Sequence, residues 1–171
     1  MSEIVFEILF VLCLVLANGV FAMSEMSIVS SRRVRLQHLA EGGDGGARAA
    51  LELSDNPNRF LSTVQIGITV IGILAGAVAG AGLARILASQ VALVPQFEPY
   101  SETIGLTVVV AAIGYLSLVL GELAPKRIAL ARAERIASLI ARPMRFLSIV
   151  ASPAVRLLGV SSDAVVRLLG V

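Results

Sequence analysis

Three stretches of the chain lack any charged residue for long enough to approach a membrane span: 17 positions at 8–24, 25 at 60–84 and 19 at 103–121. Crossing the ~30 Å hydrocarbon layer of a bilayer takes about 20 helical residues. Extended backbone cannot satisfy its polar groups there. The pattern therefore predicts three transmembrane helices, at about 4–28, 59–84 and 102–124. The first run is short unless Glu3, Glu7 or Glu25 lies at an interface. A cleaved signal peptide is its rival reading, but the flank carries Glu3 and Glu7 where such peptides carry Lys or Arg. The first span is therefore expected to be retained.

The intervening segments are amphipathic or broken. Residues 32–41 form an amphipathic stretch that ends at Gly42-Gly43-Asp44-Gly45-Gly46, expected to be a flexible break. A short helix is expected at 47–54, and Asn56-Pro57-Asn58 stops it and caps the second span. Pro95 and Pro99 make 89–99 an irregular loop. Beyond Pro125, residues 128–150 read as a basic amphipathic helix. Its apolar residues are Ile128, Ile136, Leu139 and Ile140, and it should lie along the membrane surface. VRLLGV occurs at 155–160 and again at 166–171, read as two short amphipathic turns. Residues 1–127 are thus a three-span membrane domain and 128–171 a juxtamembrane helical belt. The fold class is an all-α membrane protein.

Composition strengthens this reading. Hydrophobic residues make up 57% of 171, charged residues 15%, and the mean hydropathy is +0.88. Average globular usage is about 25% charged, so the chain cannot cover a water-soluble surface. Disorder requires the opposite balance, and Cys13, the single cysteine, excludes a disulfide framework.

The 14 basic residues fall as none before the first span, five after it, one (Arg85) after the second and eight after the third. Basic residues mark cytoplasmic segments. The N-terminus is expected outside and the C-terminus inside, in a multi-pass cell-membrane protein.

Ionisable residues within spans are costly and mark function. Glu122 ends the third charge-free run within Gly121-Glu122-Leu123-Ala124-Pro125-Lys126-Arg127, about one turn from the cytoplasmic interface. Pro125 has no N–H to give the carbonyl four residues back, which is that of Gly121. A freed carbonyl beside a carboxylate suits a hard cation such as Mg²⁺. The alternative pairs Glu122 with Lys126 at i, i+4 and makes Pro125 a helix stop. Ser24 and Ser27 share a face at the cytoplasmic end of the first span, with Glu25 pointing about 100° away. Thr63 and Gly67 share a face at the start of the second. The alternative for the two serines is a bond to their own helix's carbonyls, and for Glu25 an interfacial charge near Arg32. Gly72, Gly76 and Gly80 recur every four residues, a ribbon that suits close helix packing within a subunit or between two.

Enzyme signals are absent: one histidine (His38), no zinc spacing, no nucleophile elbow and no P-loop. The Arg-rich segments lack interleaved aromatics and flank spans. Anionic lipid is therefore the better partner than nucleic acid.

Asn18-Gly19-Val20-Phe21 leading to Ser24-Glu25-Met26-Ser27, then Asn58-Arg59-Phe60-Leu61-Ser62-Thr63-Val64-Gln65-Ile66-Gly67, then Gly121-Glu122-Leu123-Ala124-Pro125-Lys126, resembles the transmembrane domain of the CorC/cyclin M magnesium transporters. The resemblance covers essentially the whole chain. It implies a homodimer that exports Mg²⁺, driven by inward Na⁺. It also implies a dehydrated Mg²⁺ held by Ser24, Ser27, the Gly121 carbonyl and Glu122, with Thr63 at a further hydroxyl position. Family members continue into paired nucleotide-binding modules. This chain reads as the membrane domain without those cytosolic regulatory domains. The competing function is a non-transporting membrane anchor or metal sensor that relays occupancy to a cytosolic domain.

Overall fold

The structure is a computed structural model that describes residues 2–169. Its described residues form helices joined by short turns, with no strand among them, in the order α1 (Ser2–Ser30), α2 (Arg33–Glu41), α3 (Gly45–Asp55), α4 (Pro57–Ala81), α5 (Leu83–Val91), a 3₁₀ turn (Glu98–Tyr100), α6 (Ser101–Leu118), a π turn (Val119–Leu123), α7 (Ala124–Ala131), α8 (Ala133–Val150) and α9 (Ser152–Leu168). Three segments are long and apolar enough to cross a membrane: Ile4–Ser30, Pro57–Val91 and Glu98–Ala131. The α8 and α9 helices meet at a 63° bend and pass that test only when taken together. An all-α membrane protein is what the structure shows.

The contacts divide the chain into two compact units. One comprises residues 1–22 and 68–127, the other 23–67 and 128–171. α1, α4 and α7 each contribute residues to both.

In the first unit the core is small and aliphatic: Val11 and Val15 of α1, Ala79 of α4, Ala84 of α5 and Val109 of α6. Most other large apolar side chains point outward, including Phe6, Leu9, Ile73, Val110 and Tyr115. That arrangement suits a solvent as apolar as the core. The irregular loop expected at 89–99 is shorter than that, because α5 runs to Val91 and packs along α6. The two helices approach closely at Gly105, where a Cβ would lie 2.7 Å from the Ala84 carbonyl oxygen. Between α4 and α5 the chain breaks at Gly82, against which the Glu7 carboxylate rests.

The second unit revises three sequence expectations. The glycine-rich segment is not a flexible break. Only Gly42 and Gly43 form the turn, with Gly43 at φ +95°, and α3 already begins at Gly45. Asp44 caps that helix, its Oδ1 accepting from the Gly46 and Ala47 amides at 2.7 and 3.1 Å. Such a cap satisfies amide donors that a helix start otherwise leaves orphaned. The basic helix expected at 128–150 is also not continuous, because α7 ends at Ala131 and α8 begins at Ala133. Ile128 falls in α7 and is 53% exposed, and Leu139 in α8 is 77% exposed, as suits side chains lying against a membrane surface. The buried face is Ala133, Ala137, Ala141, Met144 and Ser148, packed on the small-residue face of α3 (Gly46, Ala47, Ala49, Ala50 and Leu53). Small residues win that contact because they let two backbones come close, as in membrane helix pairs. Finally, the VRLLGV copies do not form two short turns. They belong to the single helix α9 as far as Leu168, while Gly170 and Val171 lie outside the described residues.

Asp44 also ties α3 to α8, through a hydrogen bond donated by the Ser138 hydroxyl to its Oδ2. That bond, then the two cap amides, hold the Asp44 carboxyl below its ordinary value of 3.8. Its contribution to stability is therefore complete above that value and is withdrawn as the pH falls through the lower folded-state value. An asparagine in its place would still cap the helix but carries no charge. Asp44→Asn should flatten the acid limb of thermal stability in detergent, read by circular dichroism from about pH 3 to 7. An acid limb as steep in the variant as in wild type would remove Asp44 from the acid response.

Candidate functional site

The Gly121-Glu122 segment is built by Pro125. An α-helix passing through residue 125 would need an N–H there for the Gly121 carbonyl, and proline has none. The chain widens instead of stopping, and the Ala124 amide donates five residues back to the Val119 carbonyl. Such single π turns in α-helices are frequent at functional sites. α7 then continues through Pro125, so this proline is not a helix stop.

The buried Gly121 carbonyl accepts a hydrogen bond of 3.2 Å from Asn18 Nδ2, across 103 residues of sequence. The opposite end of that amide, Asn18 Oδ1, is fully buried and has no hydrogen-bond partner. α1 lies tightly against the turn here. A Cβ on Gly19 would stand 2.9 Å from the Leu120 carbonyl oxygen and 3.0 Å from Pro125 Cγ.

Glu122 is half-buried, its side chain 42% exposed within the chain, and Oε1 lies 2.6 Å from Lys126 Nζ. The pairing read as the alternative is therefore formed, in the favoured order with the glutamate N-terminal to the lysine.

In the other unit Ser24 and Ser27 are wholly buried and Thr63 nearly so. The Ser27 hydroxyl donates to the Ser24 carbonyl at 3.0 Å, and that of Thr63 to the Arg59 carbonyl at 2.8 Å. Both bonds run back along the residue's own helix, which for Ser27 is the alternative reading. Donating its hydrogen leaves each hydroxyl oxygen with lone pairs to offer a cation. Thr63 Oγ1 also lies 3.4 Å from Ser148 Oγ on the small-residue face of α8. Glu25 lines a groove with Ser62 and Gln65 of α4 and Asp163 of α9. Among the described residues, no three His, Cys, Asp or Glu side chains gather where a metal could sit.

Two polar residues escaped the sequence reading. Asn18 was visible as a lone amide within the first charge-free run, a sign of a buried partner. Ser148 sits one turn beyond Met144 on a face that nothing in its hydrophobicity marked as inward.

The profile of the Cyclin M transmembrane N-terminal domain matches residues 8–171. The chain belongs to the cyclin M transmembrane family. Among curated relatives, a UPF0053 protein of Synechocystis is 49% identical over 170 residues, covering 99% of this chain and 38% of the relative. An uncharacterized protein of Mycobacterium tuberculosis is 32% identical over 169 residues, 99% of this chain and 48% of the relative. The polyamine export protein of Escherichia coli is 31% identical over 149 residues, 87% of this chain and 33% of the relative. This cyclin M chain thus spans less than half the length of the relatives it matches.

Proposed function

We propose that the protein is a secondary transporter that exports Mg²⁺ in exchange for inward Na⁺. Its ligands are Glu122, the Gly121 carbonyl and the hydroxyls of Ser24, Ser27 and Thr63. The observation that carries this reading is the Gly121-Glu122 turn. It sets a glycine carbonyl that no proline N–H can take beside the one carboxylate at the end of an otherwise charge-free span. Mg²⁺ takes hard oxygen ligands, and the proposed set contains no other kind. In this reading the N-terminus is outside, and the basic belt rests on anionic lipid at the cytoplasmic leaflet. A cleft between α2 and α8 is lined by Arg35, His38, Arg132 and Arg135 together with Asp44 and Glu134, and its excess of basic groups suits such headgroups.

A second reading has its own observation. Glu122 already accepts an alkylammonium group, that of Lys126, and relatives from Escherichia coli and Salmonella typhimurium are named polyamine export proteins. A polyamine end could replace the Lys126 ammonium. Efflux from proteoliposomes loaded with Mg²⁺ or with a linear polyamine, with and without a Na⁺ gradient, separates the two. Na⁺-dependent Mg²⁺ loss supports the first reading and polyamine loss the second. Loss of neither favours the anchor or sensor.

The transporter is proposed to work as a homodimer. A Cβ added at Gly72, Gly76 or Gly80 meets nothing within 4 Å inside the chain, so this ribbon is open to a second helix. Gly76→Leu should reduce cross-linked dimer in membranes several-fold, since only small residues permit that approach. An unchanged dimer fraction would move the interface elsewhere.

A further inference from the structure

The amide of Asn18 is half-satisfied in a place where that is costly. Nδ2 donates to the Gly121 carbonyl, while Oδ1 is buried without a partner. Leaving such an acceptor unpaired costs about 1–3 kcal/mol, and rotating the amide gives no relief. It would bring Oδ1 against the Gly121 oxygen, two acceptors facing each other. A cation between them removes the conflict, because it attracts both oxygens. Gly19 holds α1 so close to the turn that the Asn18 side chain cannot avoid this neighbourhood.

We propose that Asn18 is a further ligand of the transported cation and turns between two positions. With Nδ2 toward Gly121 it holds the carbonyl in place. With Oδ1 toward the ion it joins that carbonyl as a second neutral oxygen beside Glu122. The proposal rests on the cation-export reading above and adds a residue to its ligand set. It also explains the π turn: widening the helix points the Gly121 carbonyl at a side chain of α1 that can exchange a donor for an acceptor.

Substitution separates a ligand from a mere brace. Asn18→Leu keeps the volume and removes both functions. Asn18→Asp keeps the oxygen and, ionised, donates nothing to Gly121. A ligand role predicts that Mg²⁺ affinity of the full-length protein, read by calorimetry, falls at least about tenfold in Asn18→Leu. In Asn18→Asp it should stay within about threefold of wild type or tighten. Circular dichroism melting of each variant confirms folding. Equal losses in the two variants would overturn the ligand role, because a brace needs the donor that both lack. Wild-type affinity in Asn18→Leu would overturn it as well. Glu122→Gln in the same series keeps the two claims apart. If it abolishes binding while Asn18→Leu does not, the export reading stands and this inference fails. If wild type itself binds no Mg²⁺, the export reading fails first.

Discussion

Glu122→Gln is expected to abolish Na⁺-dependent Mg²⁺ efflux and to weaken Mg²⁺ binding at least about 100-fold, about 2.8 kcal/mol at 1.4 kcal/mol per decade. Glutamine preserves the shape and one oxygen but removes the charge that offsets stripping water from a doubly charged ion. Among the described residues no three acidic, His or Cys side chains gather where a metal could sit, so no such cluster makes up for the lost charge. Folding should survive the change. What the fold loses is one partly exposed i, i+4 pair with Lys126, worth about 0.2–0.5 kcal/mol in a helix. Glu25→Gln is the control. Its carboxylate lines a groove in the other unit with Ser62, Gln65 and Asp163, and binding should change by less than about threefold. Calorimetric titration alongside vesicle efflux checks both. The opposite ranking, with Glu25→Gln inactive and Glu122→Gln normal, would mean that the carboxylate was wrongly assigned. Lys126→Met adds a sign test. Removing the ammonium that lies 2.6 Å from Oε1 frees Glu122, so cation affinity should rise.

The membrane fold was legible in the sequence because charge is excluded from hydrocarbon more strictly than any packing rule operates. Three uncharged runs mark the spans with no appeal to tertiary structure. Glu122 was legible for the same reason: an ionisable group at the end of such a run stands out, and proline's missing N–H follows from its covalent structure. What the sequence hid depends on contacts between distant segments. Asn18 reads as one polar residue among apolar ones until a carbonyl 103 residues away meets it. The side that α8 turns to α3 is a second case, because an apolar period marks the face that a surface helix gives to the membrane and not the small residues it gives to a neighbouring helix. Leu139 is exposed while Ala137 and Ala141 are fully buried, since close approach of α3 and α8 rewards the smallest side chains. Asp44 shows a third case. A run of four glycines around one aspartate suggests flexibility, yet the carboxylate caps one helix and accepts from another, fixing the segment through hydrogen bonds that composition cannot reveal.

The contact that positions the Gly121-Glu122 turn can be tested by one methyl group. Gly19→Ala would ordinarily help, because alanine is favoured over glycine inside a helix by about 0.5–1 kcal/mol. Here its Cβ would lie 2.9 Å from the Leu120 carbonyl oxygen and 3.0 Å from Pro125 Cγ. Neither atom yields easily, one being backbone of the π turn and the other part of a closed ring. Overpacking of this kind costs about 1–3 kcal/mol, more than the helix gains, so Gly19→Ala should lower the melting temperature in detergent. It should also weaken Mg²⁺ binding, since α1 can relieve the clash only by pushing away the turn that carries Glu122. Gly114→Ala is the matched comparison. It lies within α6, and its added Cβ meets nothing within 4 Å, so it should gain the ordinary helix preference and leave binding unchanged. Opposite signs for the two alanines would show that α1 bears directly on the turn. A stabilising Gly19→Ala with normal binding would show that it does not, and would remove the packing on which the placement of Asn18 depends.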